Sequence, residues 1–194
     1  MSRPDDRAAP DLLTASIDTP IGRMVAVASE AGICVLEFLD SRTAPSSARA
    51  FAKRHGANSV SGTNRHLDRL RAELDAYFSG ELRRFETPLD LRGTTFQKAV
   101  WKRVARAPYG RTLTYAQVAA RAGRPSAVRA AGHANGRNPV SILVPCHRIV
   151  GTDGELHGYG GGLWRKRWLL ELERGESPVS AAARRTRATR YERG

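Results

Sequence analysis

The chain has 194 residues, of which 41% are hydrophobic, and it carries a formal net charge of +13 at pH 7. This length permits one large or two small hydrophobic cores. No apolar stretch reaches the roughly 18–20 residues of a membrane-spanning helix, so we expect no membrane partner. Two cysteines, Cys34 and Cys146, are too few for a disulfide framework, which argues against the disulfide-rich secreted class.

The positive charge is concentrated in the second half of the chain. Residues 11–92 carry eleven basic and eleven acidic side chains, residues 93–178 carry fourteen and five, and residues 179–194 carry five and one. Lys and Arg gain affinity for nucleic acids by displacing counterions from phosphates, so this distribution favours a polyanion-binding domain joined to a neutral domain. A generally Arg-rich composition does not explain why residues 11–92 balance to zero.

Composition also predicts the limits of the domains. Residues 1–10 and 179–194 are poor in large apolar side chains, and we expect both segments to be disordered, the second as a basic tail. Residues 1–10 lack the apolar core of a secretory signal, so we expect a cytoplasmic protein. Between these ends we predict an N-terminal α+β domain over residues 11–92 and a mostly helical C-terminal domain over residues 93–178.

The first domain begins with apolar segments that predict antiparallel β-strands. These segments are residues 12–17, 23–29 and 33–39, with turns at residues 19–22 and 30–32. Leucine and aromatic residues then recur at helical spacing from Leu67 to Phe78, with Asn64 as the predicted N-cap and Gly80 as the terminator. The sequence therefore predicts a small antiparallel sheet followed by a helix.

Three side chains of the first domain could in principle bind a metal: Cys34, His55 and His66. Their spacing fits no zinc-binding pattern, and a structural zinc site needs four ligands. We therefore predict no metal in this domain. Cys34 is interpreted as a buried strand residue.

The second domain contains a predicted helix-turn-helix. After a helix over residues 96–105, Thr114 is expected to cap a helix that Gly123 ends, and another helix follows from Ala127 to about Asn135. This last helix consists mainly of Ala and Gly, so its backbone could approach a partner closely while Arg129 projects from a smooth surface. The alternative is an Ala-rich helix buried against a neighbour with Arg129 solvated.

A thiol, an imidazole and a cation stand side by side at Cys146, His147 and Arg148. The apolar residues 142–144 before them predict a buried strand. A thiol with a pKa near ~8.5 is mostly protonated at pH 7, so a nucleophilic cysteine needs a base or a positive charge nearby. An inert core thiol is the alternative, since adjacent side chains on a strand point to opposite faces. The tetrapeptide at residues 145–148 alone leaves both interpretations open.

The remaining elements are a turn at residues 151–154, a glycine-rich loop at residues 159–163 and a final helix over residues 164–174. Glu173 lies one turn from Leu169 and so near the buried side of this helix, where a carboxylate requires a partner. The apolar face of the helix is predicted to carry Trp164, Trp168 and Leu172.

From Thr95 to about Glu173 the sequence resembles the O6-alkylguanine-DNA alkyltransferases, which move an alkyl group from a damaged base onto their own cysteine. The order and spacing of the motifs are those of the family, whereas residues 14–91 match it only in general features. The matching motifs are the helix-turn-helix at residues 114–135, Arg137-Asn138-Pro139, Pro145-Cys146-His147-Arg148, Gly158-Tyr159-Gly160-Gly161-Gly162-Leu163 and residues 168–173.

The resemblance implies a single-turnover reaction in which Cys146 accepts an alkyl group from O6 of guanine, or from O4 of thymine, in double-stranded DNA. It implies that Glu173 orients His147, which reaches the sulfur through a water, and that Tyr115 protonates the departing guanine. Asn138 is expected to support the backbone around Cys146. The protein is expected to act as a monomer without a cofactor.

The resemblance also implies how DNA and the base are held. The second helix of the helix-turn-helix enters the minor groove, and Arg129 fills the space left by a flipped nucleotide. The expected DNA-binding residues are Thr95, Tyr115, Ala127, Arg129 and Ala130. The expected pocket residues are Val144, Pro145, Arg148, Tyr159 and Gly160.

Two other classes of function stay open at this point. A thiol hydrolase could use Cys146, His147 and Glu173, but it would turn over and would need an oxyanion hole. A DNA-binding regulator could use the helix-turn-helix and keep Cys146 as a structural residue. Only an alkyltransferase would retain one alkyl group per protein.

Overall fold

The computed structural model describes residues 12–40, 51–53 and 57–176, so the predictions made for residues 1–10 and 179–194 lie outside it. In the part described, no helix is both long and apolar enough to cross a bilayer. The first half of the chain contains the strands β1 (Leu12–Ile17), β2 (Met24–Ala28), β3 (Ile33–Phe38) and β4 (Ser59–Ser61). They form one sheet in the order β3-β2-β1-β4.

The sheet is mixed rather than purely antiparallel. Strands β1, β2 and β3 form the predicted antiparallel arrangement, whereas the short β4 pairs in parallel with β1. The sequence analysis did not predict β4 because its three residues are exposed and carry no alternating apolar pattern. Cys34 lies on β3 with no exposed surface, which confirms its interpretation as a buried strand residue.

Helix α1 (Arg65–Phe78) follows the sheet and has the predicted limits. The Asn64 side chain accepts hydrogen bonds from the backbone N–H groups of His66 and Leu67, which satisfies two free donors at the helix start. The chain leaves the helix through Gly80 at φ 80°, a conformation that glycine adopts without strain. The buried face of α1 packs on the sheet through Leu67, Leu70 and Leu74.

The second half is mostly helical, with a two-stranded parallel ladder formed by β5 (Leu113–Thr114) and β6 (Ile149–Val150). Thr114 caps the helix Tyr115–Arg121, α3, through a capping box with Gln117, and Gly123 turns the chain at φ 78°. The predicted helix-turn-helix and the α+β fold class are confirmed. The helices are α2 (Thr95–Val104), α3 (Tyr115–Arg121), α4 (Val128–Gly136) and α5 (Leu163–Arg174).

The two halves share one hydrophobic core, to which the sheet, α1 and the helices of the second half all contribute. Strand β3 also bonds directly to the segment that precedes Cys146. Leu36 donates its backbone N–H to the Pro139 carbonyl and accepts one from Ser141, both at 2.8 Å. The position of the Cys146 segment is therefore fixed by the first half of the chain.

The predicted strand over residues 142–144 is wrong. This segment is a turn, and Cys146–Arg148 form a single turn of 3₁₀ helix. Its hydrogen bonds are local, as in the 3.0 Å bond from Val144 N–H to the Val140 carbonyl. Ile142 has φ 73°, a strained conformation for a β-branched residue. The segment is apolar because it is buried, and burial alone does not distinguish a strand from a buried turn.

The predicted apolar face of α5 is also partly wrong. Trp164 is 56% exposed, whereas Arg165 and Lys166 are buried together with Leu169, Leu172 and Glu173. The two cations can be buried because each finds several hydrogen-bond acceptors in the fold, as described below.

Candidate active site

Cys146 begins the 3₁₀ turn and is 7% exposed at the floor of a narrow cleft. The Asn138 amide donates hydrogen bonds to Cys146 Sγ at 3.2 Å and to the Val144 carbonyl at 2.7 Å, while its Oδ1 accepts one from the Val140 N–H at 3.0 Å. Asn138 thus holds the backbone of the segment that leads into the 3₁₀ turn, at Val140 and Val144. It also contacts the sulfur, where its N–H favours the thiolate.

Burial raises the pKa of the Cys146 thiol, and the Asn138 hydrogen bond and the charge of Lys166 offset this effect only in part. The resting sulfur is therefore protonated at neutral pH, and a nearby base has to remove its proton. Burial raises the pKa of the other thiol, Cys34, to about 11, and its sulfur donates to Asp90 at 3.5 Å, away from the cleft. Of the two cysteines, Cys146 is therefore the candidate nucleophile.

The candidate base is His147, whose Nε2 lies 2.8 Å from Glu173 Oε1 in a fully buried pair. Burial lowers the pKa of His147, so the imidazole is neutral. Burial by itself raises the pKa of Glu173, but the hydrogen bonds from His147 and Arg148 and the charge of Arg148 bring it to about 2. A carboxylate only accepts hydrogen bonds, so Nε2 carries the proton, and Nδ1 is left as a buried acceptor that no described residue occupies.

Arg148 has a different place from the one expected, because its side chain points behind the turn and not into the cleft. Arg148 Nε and Nη2 form a fork on the Glu173 carboxylate at 2.9 and 2.8 Å, and Nη1 donates to the Ala107 carbonyl at 2.6 Å. Tyr77 Oη and Gly110 N–H also donate to this carboxylate, at 2.8 and 3.1 Å. The buried charge of Glu173 is thus fully compensated.

The other two pocket residues predicted from the Cys146 segment are also outside the cleft. Val144 is buried, and its carbonyl accepts the hydrogen bond from Asn138. Pro145 lines a separate cavity of about 490 Å³ together with Arg148. The structure thus places Val144, Pro145 and Arg148 outside the lining of the cleft, and their expected contact with the base stays a prediction.

The cleft in front of Cys146 has a free volume of about 30 Å³. Tyr159 and Gly160 line it as predicted, and the first half of the chain contributes Glu37 and Phe38 from the end of β3. This volume corresponds to roughly one water molecule, so the cleft has to widen to admit a base. The contribution of β3 could not be predicted, because it depends on the pairing of Leu36 with residues 139–141.

Tyr115 stands at the start of α3 and packs against Gly132 of α4, where an added Cβ would lie 3.7 Å from the tyrosine ring. Its hydroxyl donates to the His157 carbonyl at 3.4 Å. Burial, and to a lesser extent the neighbouring Cys146, raise the pKa of Tyr115. The phenol is therefore protonated at neutral pH and can act as a proton donor.

Lys166 is a component of the site that the sequence analysis missed. It is completely buried, and Nζ donates to the carbonyls of Ile149 at 2.6 Å and His157 at 2.7 Å. Burial lowers the pKa of Lys166 to about 8, against the opposing effect of Cys146. This cation favours the thiolate form of Cys146. A lysine on a helix is ordinarily exposed, so no sequence signal indicated its position.

The expected DNA-binding residues lie mostly on the surface around α4. Arg129 and Ala130 are exposed in its first turn, beside an open groove of about 450 Å³ that also contacts the start of α2. Thr95 is exposed at that start, and Ala127 is the half-buried N-cap of α4. Arg129 makes no hydrogen bond or ion pair with a described residue. Its guanidinium is thus available to a partner.

A metal centre has no candidate in the part of the chain that the structure describes. Searched over these residues, His, Cys, Asp and Glu side chains nowhere gather in threes or more at positions that could hold an ion. The polar groups around Cys146 bond to one another instead, as the Glu173 cluster shows.

Comparison with known proteins matches nearly the whole described chain to two family models. Residues 12–91 match the model described as "6-O-methylguanine DNA methyltransferase, ribonuclease-like domain", and residues 95–175 match "6-O-methylguanine DNA methyltransferase, DNA binding domain". Among relatives, the methylated-DNA--protein-cysteine methyltransferase of Mycobacterium tuberculosis is 43% identical over 84% of this chain and 93% of its own. That of Methanosarcina barkeri is 42% identical over 81% and 94%.

Solved structures agree with these matches. Mycobacterium tuberculosis OGT in complex with DNA superposes with a TM-score of 0.73 at 40% identity, covering 89% of this chain and 98% of that one. The O6-methylguanine-DNA methyltransferase of the hyperthermophilic archaeon Pyrococcus kodakaraensis superposes with a TM-score of 0.63 at 25% identity, covering 84% and 98%.

Proposed function

The chain belongs to the 6-O-methylguanine DNA methyltransferase family, and from this membership we propose which residues carry out its reaction. The protein is a DNA-binding repair enzyme that transfers an alkyl group from methylated DNA directly to one of its own cysteines. The acceptor is Cys146. The observation that carries this assignment is the position of its sulfur, in a cleft beside the Asn138 amide and next to a buried His147–Glu173 pair. Neither a thiol hydrolase nor a DNA-binding regulator without transfer activity has support among the relatives.

The reaction is a displacement at the alkyl carbon of O6-alkylguanine. A bond forms between Cys146 Sγ and the alkyl carbon, and the bond from that carbon to guanine O6 breaks. The thiol proton passes through a water to His147 Nδ1, which Glu173 orients through Nε2, and from there to solvent, while Asn138 and Lys166 stabilise the developing thiolate. Tyr115 donates a proton to the departing guanine and regains one from solvent. The product is a thioether, which water does not cleave, so each protein molecule reacts once.

The substrate is alkylated guanine in double-stranded DNA, with O4-alkylthymine as a second possible lesion. Cys146 lies at the floor of a cleft with a free volume of about 30 Å³. A base that is stacked in the duplex cannot reach it, so the base has to leave the stack. The exposed Arg129 at the start of α4 occupies the gap in the duplex, with Thr95, Ala127 and Ala130 contacting the DNA around it.

We place the DNA-binding and transfer domain at residues 93–178 and the supporting domain at residues 11–92. The protein works as a monomer in the cytoplasm.

An Arg129→Ala variant separates base flipping from chemistry. If Arg129 stabilises only the duplex from which a base has left, its loss lowers the population of the flipped state, by about tenfold for each ~1.4 kcal/mol. We expect repair of duplex DNA to slow by roughly tenfold or more. A free O6-alkylguanine base needs no flipping and should react at nearly the normal rate. Single-turnover rates on both substrates measure this difference.

Two further variants serve as controls for Arg129→Ala. Tyr115→Phe should slow the reaction with duplex and with free base alike, because the departing guanine needs its proton in both cases. Arg167→Ala removes an equal charge from an exposed position on α5 and should leave both rates within about twofold. Equal losses on both substrates for Arg129→Ala would assign Arg129 to the pocket or to the fold instead.

A further inference from the structure

Two consecutive buried cations, Arg165 and Lys166, occupy the first turn of α5. Arg165 is 4% exposed, and Lys166 has no exposed surface. Burying a charge is unfavourable unless hydrogen bonds compensate for the lost water, so the partners of these side chains have to be well placed. Their partners include the carbonyls of His157 and Gly161, which flank residues 158–160 of the loop that lines the Cys146 cleft.

Arg165 connects this loop to the first half of the chain. Its guanidinium donates to the Gly161 carbonyl at 2.7 Å, to the Ile21 carbonyl at 2.6 Å and to Asp40 Oδ2 at 2.7 Å. The close approach near Ile21 depends on the neighbouring glycine: a Cβ on Gly22 would lie 2.7 Å from Arg165 Nη2. Three segments that are far apart in sequence thus meet at one planar side chain, whose donors have fixed directions.

Two aromatic rings pack against the Arg165 guanidinium. Its central carbon lies 4.2 Å from the centre of the Phe38 ring and 4.4 Å from that of Trp164. Phe38 is itself a lining residue of the Cys146 cleft. The guanidinium therefore fixes the loop at Gly161 and, at the same time, packs on the ring that forms the facing wall.

Lys166 holds the other end of the loop through the 2.7 Å hydrogen bond from Nζ to the His157 carbonyl. Between the two anchors lie Gly158, Tyr159 and Gly160. A Cβ added to Gly158 or Gly160 would meet nothing within 4 Å, so their outer side is open. A Cβ on Gly161 would lie 2.7 Å from the Phe38 ring, so the anchored end is pressed against the opposite wall.

We infer that Arg165 is a positioning residue that keeps the Cys146 cleft narrow, and that it thereby makes the enzyme prefer small alkyl groups over bulky ones. The inference rests on the proposed role of Cys146 as acceptor. With Gly161 held by Arg165 and pressed against Phe38, this wall of the cleft has little room to move outward when the base enters, so a methyl group is accommodated far more easily than an aromatic adduct. Without the anchor at Gly161 the loop can move outward, and the steric penalty on a large adduct falls.

The ion pair with Asp40 contributes less than the two carbonyl contacts. The Asp40 side chain is 65% exposed, and ion pairs of exposed groups are weak because water screens them. The hydrogen bonds to Ile21 and Gly161 are buried and connect the two walls directly. The geometry of the guanidinium fork, and not its charge alone, is therefore what holds the loop.

The test compares duplex oligonucleotides that contain either O6-methylguanine or O6-benzylguanine, with single-turnover rates measured on each. Arg165→Met keeps the apolar stem and removes every donor. We expect the ratio of its rate on O6-benzylguanine to its rate on O6-methylguanine to rise by roughly tenfold. Apolar pockets discriminate by about this factor between substrates that differ in size by a few carbon atoms. Arg165→Lys keeps the charge without the fork and should raise the ratio by a smaller factor. A purely structural role would lower both rates together and leave the ratio unchanged.

Two controls complete the experiment. Arg167→Met makes the same substitution at an exposed position two residues away and should leave the ratio unchanged. Asp40→Asn should raise the ratio less than Arg165→Met does. If Arg165→Met does not fold, Arg165→Lys decides the question. An unchanged or lowered ratio in a folded Arg165 variant overturns the inference, whereas a wild-type protein that gains no alkyl group on Cys146 overturns the proposed function itself.

Discussion

Replacing Cys146 by serine is expected to abolish alkyl transfer while leaving DNA affinity within a few-fold of the wild type. The serine hydroxyl is of similar size and can still accept the Asn138 hydrogen bond, but it is a far weaker nucleophile because its proton is much harder to remove. Cys146 lies at the floor of the cleft and not on the exposed surface of α4. Its substitution therefore changes the chemistry and not the DNA contacts.

Intact-protein mass spectrometry after incubation with a methylated duplex gives the direct measurement. The wild type should gain the mass of one methyl group and no more, however long the incubation, because the thioether is stable. Cys34→Ala is the matched control: this thiol is buried in β3 away from the cleft, and its variant should be methylated as completely as the wild type. A methylated Cys146→Ser protein would refute the assignment of the acceptor.

Replacing Glu173 by glutamine is expected to weaken both the fold and the reaction. The neutral amide leaves the buried Arg148 guanidinium without its counter-charge, and breaking a buried ion pair in this way destabilises by about 3 kcal/mol. For a domain of this size we expect the melting temperature to fall by roughly 6–12 °C. His147 also loses the carboxylate that stabilises its protonated form, so transfer by the folded fraction should slow by at least about tenfold.

The pH dependence of stability tests the charge of Glu173 separately from its shape. Its pKa of about 2 lies below the usual value of 4.5, so the stability it contributes is complete above about pH 4.5 and is lost as the pH falls towards 2. Denaturant titrations over this range should give a flatter profile for Glu173→Gln than for the wild type. Glu171→Gln, on the same helix and only half-buried, should keep both the melting temperature and the wild-type profile. Identical profiles for wild type and Glu173→Gln would contradict the role of a buried carboxylate.

The strongest signals in the sequence were local ones, and the structure agrees with them. The three antiparallel strands, the Asn64 cap of α1 and the Thr114 cap of α3 follow from side-chain chemistry within a few residues of each position. The placement of Glu173 near the buried side of α5 followed from helical spacing. Because a buried carboxylate requires a partner, this placement also predicted a hydrogen-bonding group next to it.

The resemblance to a family added what local patterns could not. Adjacent residues such as Cys146 and His147 would have pointed to opposite faces of the predicted strand, and nothing in their spacing links them to Glu173. The motif order implied that link, and His147 and Glu173 do form a hydrogen bond of 2.8 Å. The roles of these residues in transfer stay predictions until the variants above are measured.

The sequence by itself determined the fold class, the limits of most elements and the basic half that contains Cys146. The tertiary structure decided how that segment is shaped and what surrounds it. Residues 142–144 are apolar in either conformation, and in the fold they form a turn that follows the pairing of residues 139–141 with Leu36 of β3, with Pro145 and Arg148 directed away from the cleft. Arg165 and Lys166 resemble any exposed cations of a helix. Their burial depends on carbonyl groups of residues 21, 149, 157 and 161, which only the folded chain brings within reach.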